Sequence, residues 1–163
     1  MSDSLHACDY TNPYSPLISD AGSDWVVDTG ATCHMTPHRH WFHHYEPKHI
    51  PVRLANNHII YSVGIGTVCF QPTLSGKPGQ LLEFHHVLHV PDLRNNLLSA
   101  LYLTRTKSYI ITILQNQILF KRHNTLLFTA SIASNNAATL NGQVVSLCAY
   151  SAFTSTCPLD FSL

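Results

Sequence analysis

The sequence predicts an all-β fold, a barrel or a sandwich, that carries one short helix. Short runs rich in Ile, Val, Leu, Phe and Tyr recur along the 163 residues, separated by Asn-Asn, Gly and Pro turn signals. The runs are "WVVD", "IPVRLA", "HIIYSVGIGTVCF", "LLEFHHVLHV", "YIITIL", "QILF" and "LLFTASIA". One segment, "LRNNLLSALYLTRTK", instead spaces its leucines near the helical period. It predicts a helix at about 96–106, with Asn95 or Asn96 as the N-cap.

Two turn signals refine this prediction. Asn56-Asn57 lies between "VRLA" and "HIIYS", and because asparagine tolerates positive φ, the pair predicts a tight hairpin. Gly64 and Gly66 interrupt the following strand, where glycine often marks a bulge or a close approach of the backbone. We therefore expect a projecting hairpin that leads into a kinked strand.

The chain length suits one domain with its own hydrophobic core. Proline, glycine, serine and aspartate are scattered through residues 1–22, and residues 134–163 contain "SNNAATLNGQ" and an end rich in Ser, Thr and Ala. These compositions predict an N-terminal tail or linker at 1–22, a folded domain at 23–133 and a C-terminal tail or linker at 134–163.

Charge and cysteine content exclude several classes of function. The nine basic and nine acidic residues cancel, and only 11% of residues are charged, which argues against a nucleic-acid surface or a polybasic membrane anchor. No apolar run reaches the roughly 18 to 20 residues of a membrane span, and no secretory signal is evident. Five cysteines without a CxxC pair indicate a reducing compartment. We expect an intracellular, cytoplasmic protein with no cofactor and no direct contact with nucleic acid or membrane.

The most informative stretch is "SDWVVDTGATCHMT", in which an apolar strand delivers Asp28 into a tight turn. An acid in a loop is usually solvated or caps a neighbouring turn. Together with "VRLANN", "VGIGTV" and "VLHVPDLRNNLLSALYL", however, the stretch resembles the retropepsin-like aspartic protease segment of copia-type retrotransposon polyproteins.

The resemblance implies a small closed retropepsin-like β-barrel, active as a two-fold homodimer. It would make Asp28 the catalytic carboxylate of an aspartic endopeptidase that cleaves polyprotein peptides, in the cytoplasm or within virus-like particles. Thr29 would lock the two active-site loops together, and Gly30 and Ala31 would complete the loop. Because two carboxylates must share one proton, the second Asp28 would come from the partner.

The resemblance also implies a flap over the substrate. Our candidate is the hairpin at 52–62, tipped by Ala55, Asn56 and Asn57, which would exclude water and hold an extended peptide. A lid within residues 35–50 is the alternative.

Histidines support a different hypothesis. The segment "CHMTPHRHWFHHYEPKH" carries Cys33, His34, His38, His40, His43, His44 and His49. Imidazole and thiolate groups bind zinc, although Pro37 disfavours a helix there and no Cys pair completes a site. Surface or core positions explain these histidines without a metal. The same holds for His85, His86 and His89, which fit an alternating strand.

Two other functions stay open. A cysteine protease could use Cys33 with a nearby histidine, but the sequence names no oxyanion donor. A transposon-derived protein could also keep the barrel as a non-catalytic module for dimerisation or peptide binding.

Overall fold

The computed structural model describes residues 22–146, whose regular structure is mostly β-strand with one short α-helix, as predicted. The helix α1 spans Ala100–Lys107, and a 3₁₀ turn covers Arg39–Trp41. No helix in this range is long and apolar enough to cross a membrane. The strands are β1 Trp25–Asp28, β2 Met35–Thr36, β3 Phe42–Pro47, β4 Pro51–Arg53, β5 Ile59–Tyr61, β6 Gly64–Leu74, β7 Lys77–Pro78, β8 Leu82–His89, β9 Asn96–Ser99, β10 Ile110–Ile113, β11 Gln117–Arg122, β12 Thr125–Ile132, β13 Ala138–Leu140 and β14 Gly142–Val145.

Twelve strands form one sheet in the order β10-β11-β12-β13-β1-β9-β2-β8-β6-β14, with β3 and β7 each paired to β6. The pairs β1–β9 and β2–β8 are parallel, and the other pairs are antiparallel. Strands β4 and β5 form a separate two-stranded hairpin. Because β1 and β9 run side by side, the loop after Asp28 lies next to the start of α1.

Aromatic rings fill the main core. Phe120 stacks on Phe128 with ring centroids 4.2 Å apart, and Phe84 lies between Phe128 and the fully buried Trp25. Large aromatic side chains contribute most to a core because each removes a large apolar area from water. Trp25 therefore belongs to the core. A second, smaller cluster packs the β4–β5 hairpin against the loop after β1 and consists of Ala31, Met35, Ile60, Leu88 and Val90.

The predicted hairpin and the predicted close approach of the backbone are both present. Asn57 has φ 65°, and its N–H donates to the Leu54 carbonyl across the turn. A Cβ on Gly64 would overlap the Tyr45 ring, and a Cβ on Gly66 would lie 2.8 Å from the His44 carbonyl oxygen. Only glycine therefore lets β3 lie this close to β6.

The predicted helix start and N-cap are wrong. Residues Asn96–Ser99 form strand β9, because each of them pairs with a residue of β1, from Trp25 opposite Asn96 to Asp28 opposite Ser99. The helix begins at Ala100, and Ser99 caps it by accepting the Tyr102 N–H. Sheet pairing thus overrides the helical spacing of Leu97 and Leu98.

The predicted C-terminal tail also needs correction, because regular structure continues to Val145. Strand β13 pairs with both β1 and β12, and β14 pairs with β6. Residues 138–145 therefore belong to the sheet rather than to a linker. The predicted tails at 1–21 and 147–163 lie outside the described residues.

A buried polar network fixes how β1, β2 and β9 meet. The Thr36 hydroxyl donates to Asn96 Oδ1 at 2.6 Å, and Asn96 Nδ2 donates to the carbonyls of Gly22 and Asp24 at 2.7 and 2.9 Å. Both side chains are fully buried. A buried side-chain amide is stable only when its N–H groups and its oxygen have hydrogen-bond partners. The partners of Asn96 come from Thr36 and from the segment that precedes β1.

We predict that Asn96→Ala lowers the free energy of unfolding by roughly 2 to 4 kcal/mol, because it leaves the buried Thr36 hydroxyl without its acceptor and removes the hydrogen bonds to the carbonyls of Gly22 and Asp24. Urea unfolding measures the change. Asn95→Ala is the matched control, since Asn95 is exposed, and we expect it to change stability by about 0.5 kcal/mol or less. Equal losses in the two variants would contradict a special role for Asn96.

Candidate functional site

The Asp28 loop is the first candidate site. Asp28 ends β1 half-buried, and its Oδ1 accepts the Gly30 N–H at 2.7 Å. A carboxylate that accepts the N–H two residues on closes a local turn, which is a common structural use of aspartate. Thr29 and Gly30 are exposed, whereas Ala31 is buried in the second core cluster.

Ser99 and His34 hold the far side of this loop. The Ser99 hydroxyl donates to the Ala31 carbonyl at 2.6 Å, and the Ser99 N–H donates to His34 Nδ1 at 3.0 Å. Because a backbone N–H can only donate, His34 Nδ1 must be unprotonated. The ring is buried between Phe84 and Tyr102. Burial, with a smaller effect from the Lys107 charge, lowers the His34 pKa from 6.5 to about 4.

The candidate flap residues Ala55, Asn56 and Asn57 are exposed at the tip of the β4–β5 hairpin. Asn56 Oδ1 accepts the His58 N–H, so the side chain stabilises its own turn. The base of the hairpin packs through Ile60 on the cluster that contains Ala31. The hairpin therefore contacts the Asp28 loop through its apolar side chains.

An open cleft of about 410 Å³ lies elsewhere, between β3 and the bulge in β8. Its lining residues are His44, Tyr45, Glu46, Ile65, Gly66, Thr67, His85, His86 and Lys107. Asp28 is not among them. Polar and histidine side chains thus gather on the face that carries β3, β6 and β8, away from the Asp28 loop.

The histidine-rich segment disperses in the fold instead of forming a single site. His34 faces the core, His38 stacks on Trp41, and His49 stacks on Tyr61. His43 alone joins a group of potential ligands, with Cys69 and Glu83, and this is the single such group among residues 22–146. Sequence spacing could not find it, because Cys69 and Glu83 lie outside the segment.

Neither described cysteine has the environment of a nucleophile. Burial raises the pKa of Cys33, partly offset by its hydrogen bond from Thr32. Burial and then the Glu83 carboxylate raise the pKa of Cys69 to about 11. A reactive thiol needs a lowered pKa, so these environments do not favour a cysteine protease.

Thr36, Asn96 and Ser99 are the residues that sequence reasoning missed. All three lie within the motifs "HMT" and "NNLLS" that carry the family resemblance. Their side chains meet across about sixty residues of sequence, as in the Thr36–Asn96 bond. The sequence signal that could have found them is a polar residue within an apolar strand, interpreted as a buried hydrogen-bond partner of another such residue.

We predict that protonation of His34 destabilises the fold below neutral pH. The folded-state pKa of about 4 lies below the ordinary 6.5, so the stability is present above pH 6.5 and is lost as the pH falls towards 4. His34→Asn keeps an acceptor for the Ser99 N–H but does not titrate. Between pH 7.5 and 4.5, urea unfolding should show wild type losing roughly 2 to 3 kcal/mol more than this variant.

His58→Asn is the control for this experiment, because His58 is exposed. We expect it to follow the wild-type pH dependence. A His34→Asn profile identical to wild type would contradict the prediction.

We predict that Asp28 stabilises its own turn. Asp28→Asn keeps an oxygen for the Gly30 N–H and should change the free energy of unfolding by about 0.5 kcal/mol or less, whereas Asp28→Ala should lose about 1 kcal/mol. Thermal and urea unfolding at pH 7 measure both. Equal stability of the alanine and asparagine variants would show that the hydrogen bond contributes nothing.

Comparison with known proteins corrects the functional prediction. Residues 25–109 match the family described as the Pol polyprotein beta-barrel domain. The retrovirus-related Pol polyprotein from transposon TNT 1-94 of Nicotiana tabacum is 38% identical over 89 residues, which are 54% of this chain and 6% of that polyprotein. No solved structure matches the chain significantly.

The prediction of a retropepsin-like protease domain, and with it of an aspartic endopeptidase, is wrong: the matching family is a β-barrel domain, and no catalytic protease family is identified. The catalytic role of Asp28 and the flap role of 55–57 lose their basis, and the turn bond from Gly30 to Asp28 accounts for the acid in its place. The relation to a copia-type retrotransposon polyprotein is confirmed. The chain belongs to the family of Pol polyprotein beta-barrel domains.

Proposed function

We propose that this chain is a non-catalytic association module of a retrotransposon Pol polyprotein, and that it pairs with a second copy of itself through β10. The observation that carries the proposal is the exposed apolar edge of the sheet. Ile110 and Ile113 are 64% and 65% exposed, and Leu114 follows them at 42%. Isoleucines at this exposure on an edge strand are a recognised site for strand addition.

The edge offers backbone groups as well as side chains. Among residues 22–146, β10 pairs with β11 and with no strand on its other side. The Leu114 N–H donates to the Gln117 carbonyl, and groups two residues apart point to the same side of a strand. The backbone N–H and C=O groups of Thr112 therefore point towards β11. Those of Ile111 and Ile113 point away from β11, to the open side of the strand.

These directions define one antiparallel register for two copies. A two-fold axis at Thr112 places Ile111 opposite Ile113 of the partner subunit as a hydrogen-bonded pair, and Ile110 opposite Leu114 of the partner subunit. Thr112 then meets its own copy in a non-hydrogen-bonded pair. Every cross-strand pair is apolar or Thr–Thr, and both kinds stabilise a sheet.

Charge also favours pairing of identical copies. Natural edge strands are commonly protected by lysine or proline. Residues 108–120, "SYIITILQNQILF", contain neither and carry no charge. Two copies of this edge therefore meet without like-charge repulsion, and the chain as a whole has no net charge to oppose association.

The proposal also includes closure of the central sheet into a barrel. Asn141 alone separates β13 from β14, yet β13 pairs with β1 and β14 pairs with β6. The continuous segment β13–β14 therefore pairs with both outer strands of the series β1-β9-β2-β8-β6, namely β1 and β6. Closure removes those edges, whereas β10, which extends outside the ring through β11 and β12, keeps an edge that can add a partner.

We predict that Ile113→Lys weakens self-association at least tenfold, because it places a charge on both sides of the two-fold interface. Sedimentation equilibrium across protein concentration measures the dissociation constant. Ile59→Lys is the matched control: Ile59 is also an exposed isoleucine on a strand, but it lies on the separate hairpin. We expect it to associate as wild type does.

Two results would contradict the proposal. A chain that stays monomeric at high micromolar concentration does not dimerise through β10, and an extended apolar peptide would then be the alternative occupant of the edge. Equal weakening by both lysine substitutions would place the interface elsewhere.

A further inference from the structure

Three neighbouring strands bring five polar side chains to one side of the sheet. His43 on β3 lies opposite Thr67 on β6, and Cys69 on β6 lies opposite Glu83 on β8. Residues two apart on a strand share a face, so Cys69 shares a face with Thr67, and Glu83 with His85. The neighbouring positions Val68 and Phe84 belong to the main core, which places the polar group on the opposite face.

The atoms of this group lie at the separations of metal ligands. His43 Nε2 is 3.5 Å from Glu83 Oε1 and 3.9 Å from Cys69 Sγ, and the three ligand atoms lie within 4.8 Å of one another. Zinc bonds of about 2.0 to 2.3 Å at tetrahedral angles separate their ligand atoms by about 3.4 to 3.6 Å. Two of these separations lie within about half an ångström of those values and the third is at most 4.8 Å, so side-chain rotations would place all three atoms around one ion.

His85 lies at the other oxygen of the Glu83 carboxylate. Its Nε2 is 3.4 Å from Glu83 Oε2, and its Nδ1 is 3.2 Å from the Thr67 hydroxyl. A histidine that binds a metal through one nitrogen normally donates a hydrogen bond from the other, which fixes the tautomer and the ring orientation. Thr67, buried on β6, can accept that bond and leave the lone pair of Nε2 free for an ion.

We propose that His43, Cys69 and Glu83 form a zinc-binding site. One thiolate, one imidazole and one carboxylate supply three of the four ligands of tetrahedral zinc, and a rotation of the partly exposed His85 side chain would supply the fourth. The thiolate selects against magnesium and calcium, which prefer oxygen ligands. Without a metal, ion pairs of Glu83 with His43 and His85 would explain the contacts of the carboxylate. The buried Cys69 thiol would then be a hydrogen-bond partner of the His43 ring, with Sγ 3.7 Å from Nδ1, and zinc binding by wild type separates the two explanations. The site stands apart from β10 and does not rest on the proposed function.

Zinc titration of the full chain, purified without metal, tests the proposal. We expect wild type to bind one Zn²⁺ per chain, and Cys69→Ser and Glu83→Gln to weaken binding at least tenfold. Two controls lie outside the site: Cys33→Ser, which removes the other described cysteine, and His40→Asn, which removes an exposed histidine of the same segment. Both should bind zinc as wild type does.

Cobalt provides a second readout that does not depend on affinity. Co²⁺ in wild type should give thiolate-to-metal charge-transfer absorption, and Cys69→Ser should abolish it while Cys33→Ser leaves it unchanged. Circular dichroism confirms that each variant is folded. Because Glu83 is exposed on its strand, Glu83→Gln keeps the proposal testable if Cys69→Ser does not fold.

The results that would overturn the proposal are distinct. Absence of stoichiometric zinc in folded wild type excludes the site. Zinc binding that survives both Cys69→Ser and Glu83→Gln belongs to other histidines and also overturns it. Loss of binding in the Cys33→Ser control would point to a site outside these strands.

Discussion

The parallel pairing of β1 with β9 is the constraint on which the rest of the structure depends. Parallel strands cannot be joined by a tight turn, so the chain must travel through β2 to β8 before β9 can return beside β1. Asn96 secures that return, because its side chain bonds to Thr36 on β2 and to the carbonyls of Gly22 and Asp24 before β1. Ser99 then bonds to Ala31 and caps α1. The two ends of β9 thus fix the entry to β1 and the loop that leaves it.

This arrangement explains why the Asp-Thr-Gly motif pointed to the wrong chemistry. The motif lies where β1 ends and the following loop begins. Ser99 holds this loop through its hydrogen bonds to the Ala31 carbonyl and to His34 Nδ1. Aspartate closes the turn onto Gly30, and Ala31 turns inward to the second core cluster. Each residue type in the motif has a structural use, so the motif by itself indicates a strand ending and not a reaction. The family match supplies the information that the motif lacks.

Local signals in the sequence predicted local structure. Apolar runs predicted strands β1, β4, β5, β6, β8, β10, β11 and β12. Asn56-Asn57 predicted the hairpin, and Gly64 and Gly66 predicted a close approach of the backbone. Predictions from the sequence failed where the structure of a segment depends on a partner strand that is distant in sequence. Leu97 and Leu98 have helical spacing, but pairing with β1 makes them a strand.

The same limit applied to residues 138–145 and to the cluster of His43, Cys69 and Glu83. Residues 138–145 have a tail-like composition but complete the sheet by pairing with β1 and β6. The cluster depends on the register between three strands. Register follows from packing, which no single segment encodes.

Two histidines beside this cluster have a left-handed backbone, as do six other non-glycine residues among the described ones. His44 and His86 have φ of 50° and 56°, a left-handed conformation that costs energy for a residue with a Cβ. Each immediately follows a histidine of the cluster, His43 or His85, and each lies where the strand register shifts. A bulge redirects the side chains beside it. The bulges account for both left-handed histidines, because each extra residue must turn the chain locally so that the strand on either side stays paired with β6.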